Sequence, residues 1–428
     1  MLLSVMSEKE LLEFKENVQK EYDDFKNQGL SLNMARGKPS SAQLDLAMKM
    51  LAAVNSYDAD YKASDGTDCR NYGGLDGIID AKNLFSPMLG VSNDELIVCG
   101  NSSLNIMYDT IAKCIIFGVD GVQKPWKDYK KIKWLCPAPG YDRHFAICES
   151  FGIEMITIPL NEDGPDMDMI EKMVAEDDTI KGIWCVPMYS NPTGITYSDE
   201  VVKRFANLKP AAKDFRIFWD NAYCIHHLTE TPDKLLNILD ECKNAGNDDM
   251  VYMFASTSKI TFAGGGIAVM AASKANVDYI KSLMTVQTIG FDKINQLRHA
   301  KFFGNYEGLM AQMEKHRAIL QPKFDMVLDT LEREIAPLGI GSWHKPRGGY
   351  FVSFDALDGC AKRICQLCKD AGVVLTGAGA TFPYGKDPHD SNIRIAPSYP
   401  PVEELELAMK LFVAAVKLAS AEKLLENK

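Results

Sequence analysis

Long apolar runs are missing from this sequence: no stretch approaches ~20 uninterrupted apolar residues, so no membrane-spanning helix is expected. Positive charge is scarce too. Forty-seven Lys and Arg face 58 Asp and Glu, a formal net charge of -11, which argues against nucleic acid as the main partner because phosphate backbones need a basic surface. The opening MLLSVMSEKE has a short apolar run before its acids and no basic segment, so no secretory leader is expected. Metal-ligand patterns are absent as well. None of the seven histidines sits in an HExxH pattern, and adjacent His226 and His227 would point apart on a regular element. Cys365 and Cys368 have CxxC spacing but no second pair, and they lie in the helical pattern AKRICQLCKDAG, which reads as a core face. No internal repeat or low-complexity segment interrupts the chain.

What is present is the composition of a soluble globular protein: 46% hydrophobic and 25% charged residues over 428 positions, enough for two or three domains and a large core. Eleven cysteines is an odd number, and Cys99, Cys136, Cys185 and Cys224 lie in or beside apolar runs; they read as buried free thiols in a reducing compartment. A cytoplasmic protein handling small molecules is the expectation.

From about residue 95 to 275, short apolar runs alternate with amphipathic stretches. LIVC, IKWLC, IEMITIPL, GIWCVP, FRIFWD, MVYMFA and GIAVMAA read as seven strands, separated for the most part by helical patterns such as SSLNIMYDTIAKCII and DEVVKRFANL. This predicts an α/β fold with a mainly parallel sheet covered by helices on both faces. A long helical region over 306–336, the strands GGYFVSF, VVLTG and NIRIAPS, and a final helix from about 402 to 420 predict a smaller α/β domain. The expected division is an N-terminal segment, 1–50, packing with the small domain, then a large domain over 51–300 and the small domain over 301–428.

In a parallel sheet, ligands bind beyond the carboxyl ends of the strands, so the residues ending each strand matter most. After LIVC, Gly100-Asn101-Ser102-Ser103 opens a helix whose N–H groups and dipole could receive an anion, although a plain N-cap would look the same. After GIWCVP, the turn Tyr189-Ser190-Asn191-Pro192-Thr193-Gly194 offers an amide donor. Asp220 ends FRIFWD, where an acid is costly unless paired, and a cationic ring nitrogen is one partner it could have. Ser256-Thr257-Ser258-Lys259 ends MVYMFA: a lysine flanked by hydroxyls, able to hold an aldehyde beside a phosphate. A phosphate cradle, an amide donor, a carboxylate and an amine at four strand ends are the parts a pyridoxal phosphate site requires.

With these motifs in order, the chain resembles fold type I pyridoxal-phosphate enzymes of the aspartate aminotransferase superfamily, over nearly its whole length. The phrases ARGKPSSAQLDL, RNYGGLDGIIDAK, SNPTG, STSKITFAGGG and NIRIAPS are most similar to a bacterial aspartate aminotransferase subgroup. The resemblance implies that Lys259 bonds the cofactor aldehyde and then serves as general base. Asp220 would keep the pyridine nitrogen protonated, Asn191 and Tyr223 would hydrogen-bond the phenolic oxygen, and Tyr141 would stack on the ring, with His144 supporting Asp220 from behind. Asn101, Ser102, Ser103, Ser256 and Ser258 would bind the phosphate. Tyr72 would reach the phosphate of a neighbouring subunit, which implies a homodimer with shared active sites. Arg394 would grip the substrate α-carboxylate, and Gly37, beside Arg36, belongs to a segment that closes over substrate.

Two features depart from the family's pattern. An arginine is commonly found about eight residues after the lysine, yet ITFAGGGIAV has none. LMTVQTIGFDKINQ lacks the partner-subunit arginine that meets a substrate's side-chain carboxylate. Arg36, Lys38, Arg143, Lys293 and Arg298 are substitute candidates, Arg36 first because it adjoins the closing segment. The expected reaction is transamination between aspartate or glutamate and 2-oxoglutarate or oxaloacetate. The alternatives are an aminotransferase for aromatic or aminoadipate-like substrates, and a lyase or decarboxylase on the same scaffold.

Overall fold

The computed structural model describes residues 2–57, 60–426 and 428. Thirteen strands occur among them: β1 (Leu32–Asn33), β2 (Leu96–Val98), β3 (Lys133–Ala138), β4 (Glu154–Asn161), β5 (Gly164–Pro165), β6 (Ile180–Cys185), β7 (Arg216–Asp220), β8 (Val251–Ser256), β9 (Ala268–Ala272), β10 (Gly341–Trp343), β11 (Val352–Ala356), β12 (Val373–Val374) and β13 (Asn392–Ile395). The main sheet has the order β2-β9-β8-β7-β6-β3-β4-β5. Its core is parallel from β8 to β4, β9 runs antiparallel between β8 and β2, and the two-residue β5 folds back on β4. The seven strands expected from the apolar runs are all there; β5 is too short to leave such a run.

Every residue of β6, β7 and β8 is buried, because both faces of the sheet are covered. Alternation sorts the side chains: Ile183, Ile217, Trp219, Met253 and Ala255 enter a core on one face, while Trp184, Phe218, Tyr252 and Phe254 enter a core on the other. The charge within β6, Lys181, is tolerated because its ammonium meets Asp214 Oδ1 at 2.7 Å, and Trp126 Nε1 donates to the other oxygen of that carboxylate.

A third core joins the two ends of the chain. Leu11, Val18 and Tyr22 of helix Glu8–Lys26 pack with Phe351, Phe354, Ile364 and the final helix Val402–Glu426. β1 pairs in parallel with β12, and Tyr22 donates its hydroxyl proton to Leu367 O at 2.9 Å. Helix Tyr306–Glu334 spans two cores: Leu309 and Met313 lie in the first, Leu320, Phe324 and Val327 in the third. Val186, Met188 and Tyr223, just beyond the ends of β6 and β7, also pack into that third core. The strand ends therefore face the seam between sheet and C-terminal unit. No helix of the described residues is long and apolar enough to cross a membrane.

Candidate active site

After β3 the chain moves outward to form β4, then returns to the other side of β3 as β6. Loops leaving β3 and β6 therefore diverge and open a crevice at the carboxyl edge. A cavity of about 710 Å³ lies there, lined by Tyr141, Asn191, Asp220, Lys259 and Arg394, among others.

Asp220 is 3% exposed at the floor. Its Oδ2 lies 3.1 Å from His144 Nε2, whereas Oδ1 is buried with no hydrogen-bond partner. His144, in the first turn of helix Asp142–Ser150, is fixed by stacking on Trp184 at 4.2 Å and by the edge of Tyr141 at 4.9 Å. A buried carboxylate with one orphaned oxygen is costly, and a cationic N–H donor from a ligand would satisfy it.

Burial pushes the Lys259 amine below its ordinary pKa, opposed in part by the Asp220 carboxylate. Its Nζ sits 4.9 Å from the Tyr223 ring centroid. An amine so desolvated is more often neutral, and so nucleophilic, than an exposed lysine. Burial holds the Tyr223 phenol well above its usual range and pushes Tyr141 up to about 12, so both hydroxyls remain protonated donors.

Arg394 Nη1 donates to Asn191 Oδ1 at 3.2 Å and to Asp142 Oδ1 at 3.1 Å, while Nη2 donates to Thr376 Oγ1 at 3.2 Å; Nε is buried and unpartnered. With its oxygen used by Arg394, the Asn191 amide keeps its NH2 to donate elsewhere. Thr376 Oγ1 in turn donates a hydrogen bond to Ala35 O at 2.9 Å, tying the arginine to the N-terminal segment. The Phe351 ring lies 4.8 Å from the guanidinium, and a Cβ on Gly37 would come within 2.2 Å of that ring, so position 37 admits no side chain unless Phe351 moves.

The opposite end suits an anion. Ser102 is the N-cap of helix Ser103–Phe117, yet its side chain makes no capping bond. Ser102 and Ser103 line the cavity with Ser256 and Ser258, whose hydroxyls are linked at 3.1 Å. Unused helix N–H groups and hydroxyls form an anion cradle. Asn101, by contrast, does not line the cavity: its amide donates to Gly264 O at 3.5 Å, and its carbonyl accepts from Ser258 Oγ at 3.1 Å. Eight residues after Lys259 stands Ile267, which offers only a backbone N–H, and that donates to Thr257 Oγ1 at 2.9 Å.

Of the five alternative cations, Arg36, Lys38 and Arg143 line the cavity. The Lys38 ammonium rests 4.0 Å over the Tyr399 ring. Lys293 instead donates to Gly73 O in a separate groove that also contains Tyr72, and Arg298 lines neither space. Tyr72 is 82% exposed and does not line its own chain's cavity. Three site residues carry no sequence signal: Asp142, although it directly follows Tyr141, and Thr376 and Phe351, whose roles depend on contacts distant in sequence.

The elevenfold thiol set is free, with Cys99, Cys136 and Cys185 buried and Cys224 only partly so. No group of three or more His, Cys, Asp or Glu side chains placed to hold a metal occurs among the described residues. The site's own chemistry fits a different group: an orphaned buried carboxylate oxygen, a desolvated amine and an anion cradle match the cationic ring nitrogen, aldehyde and phosphate of pyridoxal phosphate.

Comparison with known proteins agrees. An aspartate aminotransferase of Corynebacterium glutamicum is 47% identical over 409 residues, covering 96% of this chain and 94% of its own. The crystal structure of an aspartate transaminase from C. glutamicum superposes with a TM-score of 0.96 at 45% identity, covering 99% of both chains. The α-aminoadipate aminotransferase LysN of Thermus thermophilus, solved with N-(5'-phosphopyridoxyl)-L-leucine, shares the fold alone, with a TM-score of 0.74 at 18% identity over 93% of this chain and 94% of that one. The family model described as aspartate amino-transferase matches residues 6–428, and the chain belongs to that family.

Proposed function

We propose that this protein is a pyridoxal-phosphate-dependent aminotransferase that moves the amino group of aspartate or glutamate to 2-oxoglutarate or oxaloacetate. The observation that carries this reading is one cavity in which a desolvated Lys259 amine, the free Oδ1 of Asp220 and the Arg394 fork converge. The relative of known name at 47% identity supports the choice of aspartate.

When bound, the cofactor supplies an electron sink for the pair released from the substrate's α-carbon. Lys259 would hold its aldehyde, and the same amine is the group placed to carry the substrate's α-proton. Asp220, oriented by His144, would accept the ring N–H on its free Oδ1 and so keep the ring charged. Tyr223 and the Asn191 NH2 would donate to its phenolic oxygen, Tyr141 would pack on its ring, and Ser102, Ser103, Ser256 and Ser258 would hold its phosphate, with the Asn101 backbone carbonyl bracing Ser258. Arg394 binds the α-carboxylate in a planar fork that a lysine cannot reproduce. Arg394→Lys should therefore lower kcat/KM by roughly 100-fold, mainly through KM, in steady-state assays with aspartate.

Arg36 is the proposed partner of the side-chain carboxylate. It lines the cavity beside Gly37, whereas Lys38 is engaged with Tyr399. Arg36→Ala should cost roughly 10- to 100-fold in kcat/KM for aspartate and little for phenylalanine; equal losses for both substrates would remove Arg36 from this role and leave Arg143. The exposed Tyr72 supports a homodimer in which it serves the other copy's phosphate, and the reading places the enzyme in the cytoplasm.

The test is a panel of amino acids added singly to the cofactor-loaded protein, following its visible absorption. Rapid loss with aspartate and glutamate, recovered on adding a 2-oxo acid, is the expected result. Release of carbon dioxide or ammonia without transfer would point to a lyase, and preference for aromatic or aminoadipate donors would reassign the substrate.

A further inference from the structure

We propose that His299 is a positioning residue for Lys259, acting with Asn295 to fix the turn that carries the lysine. Both lie one turn apart on helix Lys293–Phe303, behind the site and outside its cavity. The inference rests on the reading of Lys259 as the amine that bonds the cofactor.

The hydrogen bonds fix the tautomer of the imidazole. His299 Nδ1 lies 2.8 Å from Asn295 O, an obligate acceptor, so Nδ1 carries the proton. Burial lowers the ring pKa to about 4, against the raising effect of that bond, so the imidazole is neutral near pH 7. Nε2 is then an acceptor whose one lone pair is shared by two hydroxyls, Thr257 Oγ1 at 3.1 Å and Thr261 Oγ1 at 2.9 Å, and Thr261 Oγ1 also lies 3.3 Å from Thr257 O and from Thr257 Oγ1, which ties the two threonines to each other. Lys259 sits midway between those two threonines. One nitrogen thus anchors both flanks of the lysine, and all three residues are buried, so no water substitutes for a lost bond.

The same helix grips the neighbouring glycine turn. Asn295 Nδ2 donates to Gly265 O and Gly266 O, each at 3.0 Å. Thr257 and Ile267 exchange further bonds, Ile267 N to Thr257 Oγ1 at 2.9 Å and Thr257 N to Ile267 O at 2.8 Å. A Cβ at position 266 would come within 3.1 Å of Thr257 Oγ1 and 3.2 Å of Ser258 N, so glycine allows the two turns to touch. Where the family pattern leads one to expect an arginine side chain, this protein has Ile267, paired with Thr257 and held in place by His299 and Asn295. The sequence signal was slight: a histidine forty residues after the lysine, with nothing in the spacing to connect them.

The test is a pH titration of the visible absorption of the cofactor-loaded protein, for wild type, His299→Leu and His299→Gln. Loosening the turn lets water reach the nitrogen of Lys259, which favours its protonated form. The midpoint should rise by about one pH unit in His299→Leu and stay near wild type in His299→Gln, whose amide oxygen can still accept both hydroxyl protons. Thr261→Val removes one anchored flank and should shift the midpoint the same way; it reads the effect if the leucine variant does not fold. A purely structural histidine would lower thermal stability in both His299 variants and leave the midpoint in place, which overturns the proposal. A wild-type protein with no visible band overturns the Lys259 reading and this inference together, whereas a wild-type band with an unmoved variant midpoint overturns this inference alone.

Discussion

Lys259→Ala should lower kcat for transamination by ~1000-fold or more, because one amine serves both as the covalent anchor and as the proton carrier. The fold should survive. Lys259 is half-buried without a structural ion pair, its Nζ sits 4.9 Å from the Tyr223 ring, and the turn around it is held by Thr257, Thr261 and the His316 bond to Ile260 O at 2.9 Å, none of which uses the lysine side chain. Steady-state kinetics beside a thermal melt separate the two effects: activity lost with an unchanged melt is expected, and activity within tenfold of wild type would remove Lys259 from the chemistry.

Asp220→Asn should lower kcat/KM by ~1000-fold while making the cofactor-free protein more stable. The two effects have separate causes. An asparagine has no charge to hold the ring nitrogen protonated, so the electron sink fails when it is needed. In the cofactor-free chain, however, Asp220 is a 97% buried carboxylate (3% exposed) with His144 on one oxygen and nothing on the other, and its neutral isostere avoids part of that desolvation cost. Melting curves of the cofactor-free forms should show the variant at or above wild type, and the order should reverse once the cofactor is added. A variant that melts lower in both forms would mean that Asp220 is a structural anchor.

The fold was legible where both faces of the sheet are covered. Trp184 and Ile183 go to opposite cores, so β6 reads as the apolar run Ile183–Cys185 after its one charge, Lys181; β7 likewise reads as Ile217–Trp219 between Arg216 and Asp220, and β8 is apolar up to Ser256. Residues ending such runs fall at one edge, which is why Asn191, Asp220 and Lys259 could be placed together from spacing alone. Contacts between elements distant in sequence were not legible. Asp142 meets Arg394 across 252 positions, and Thr376 meets Ala35 across 341; no local pattern marks either pair. The span of helix Tyr306–Glu334 across two cores was also hidden, since its apolar residues repeat with one period while the partners change from Leu309 to Leu320. Asn101 shows the opposite limit. It stands in the right turn, but its amide faces Gly264 and its carbonyl supports Ser258, and the rotation of a side chain about a turn is set by packing that sequence does not display.

Reduction of the cofactor-loaded protein with borohydride, followed by peptide mapping, would locate the cofactor's bond directly. A pyridoxyl label on Lys259 alone is the predicted result, with none on Lys38 at the cavity's rim or on Lys293 in the neighbouring groove. A label on another lysine, or none at all, would contradict the assignment of this cavity as the active site.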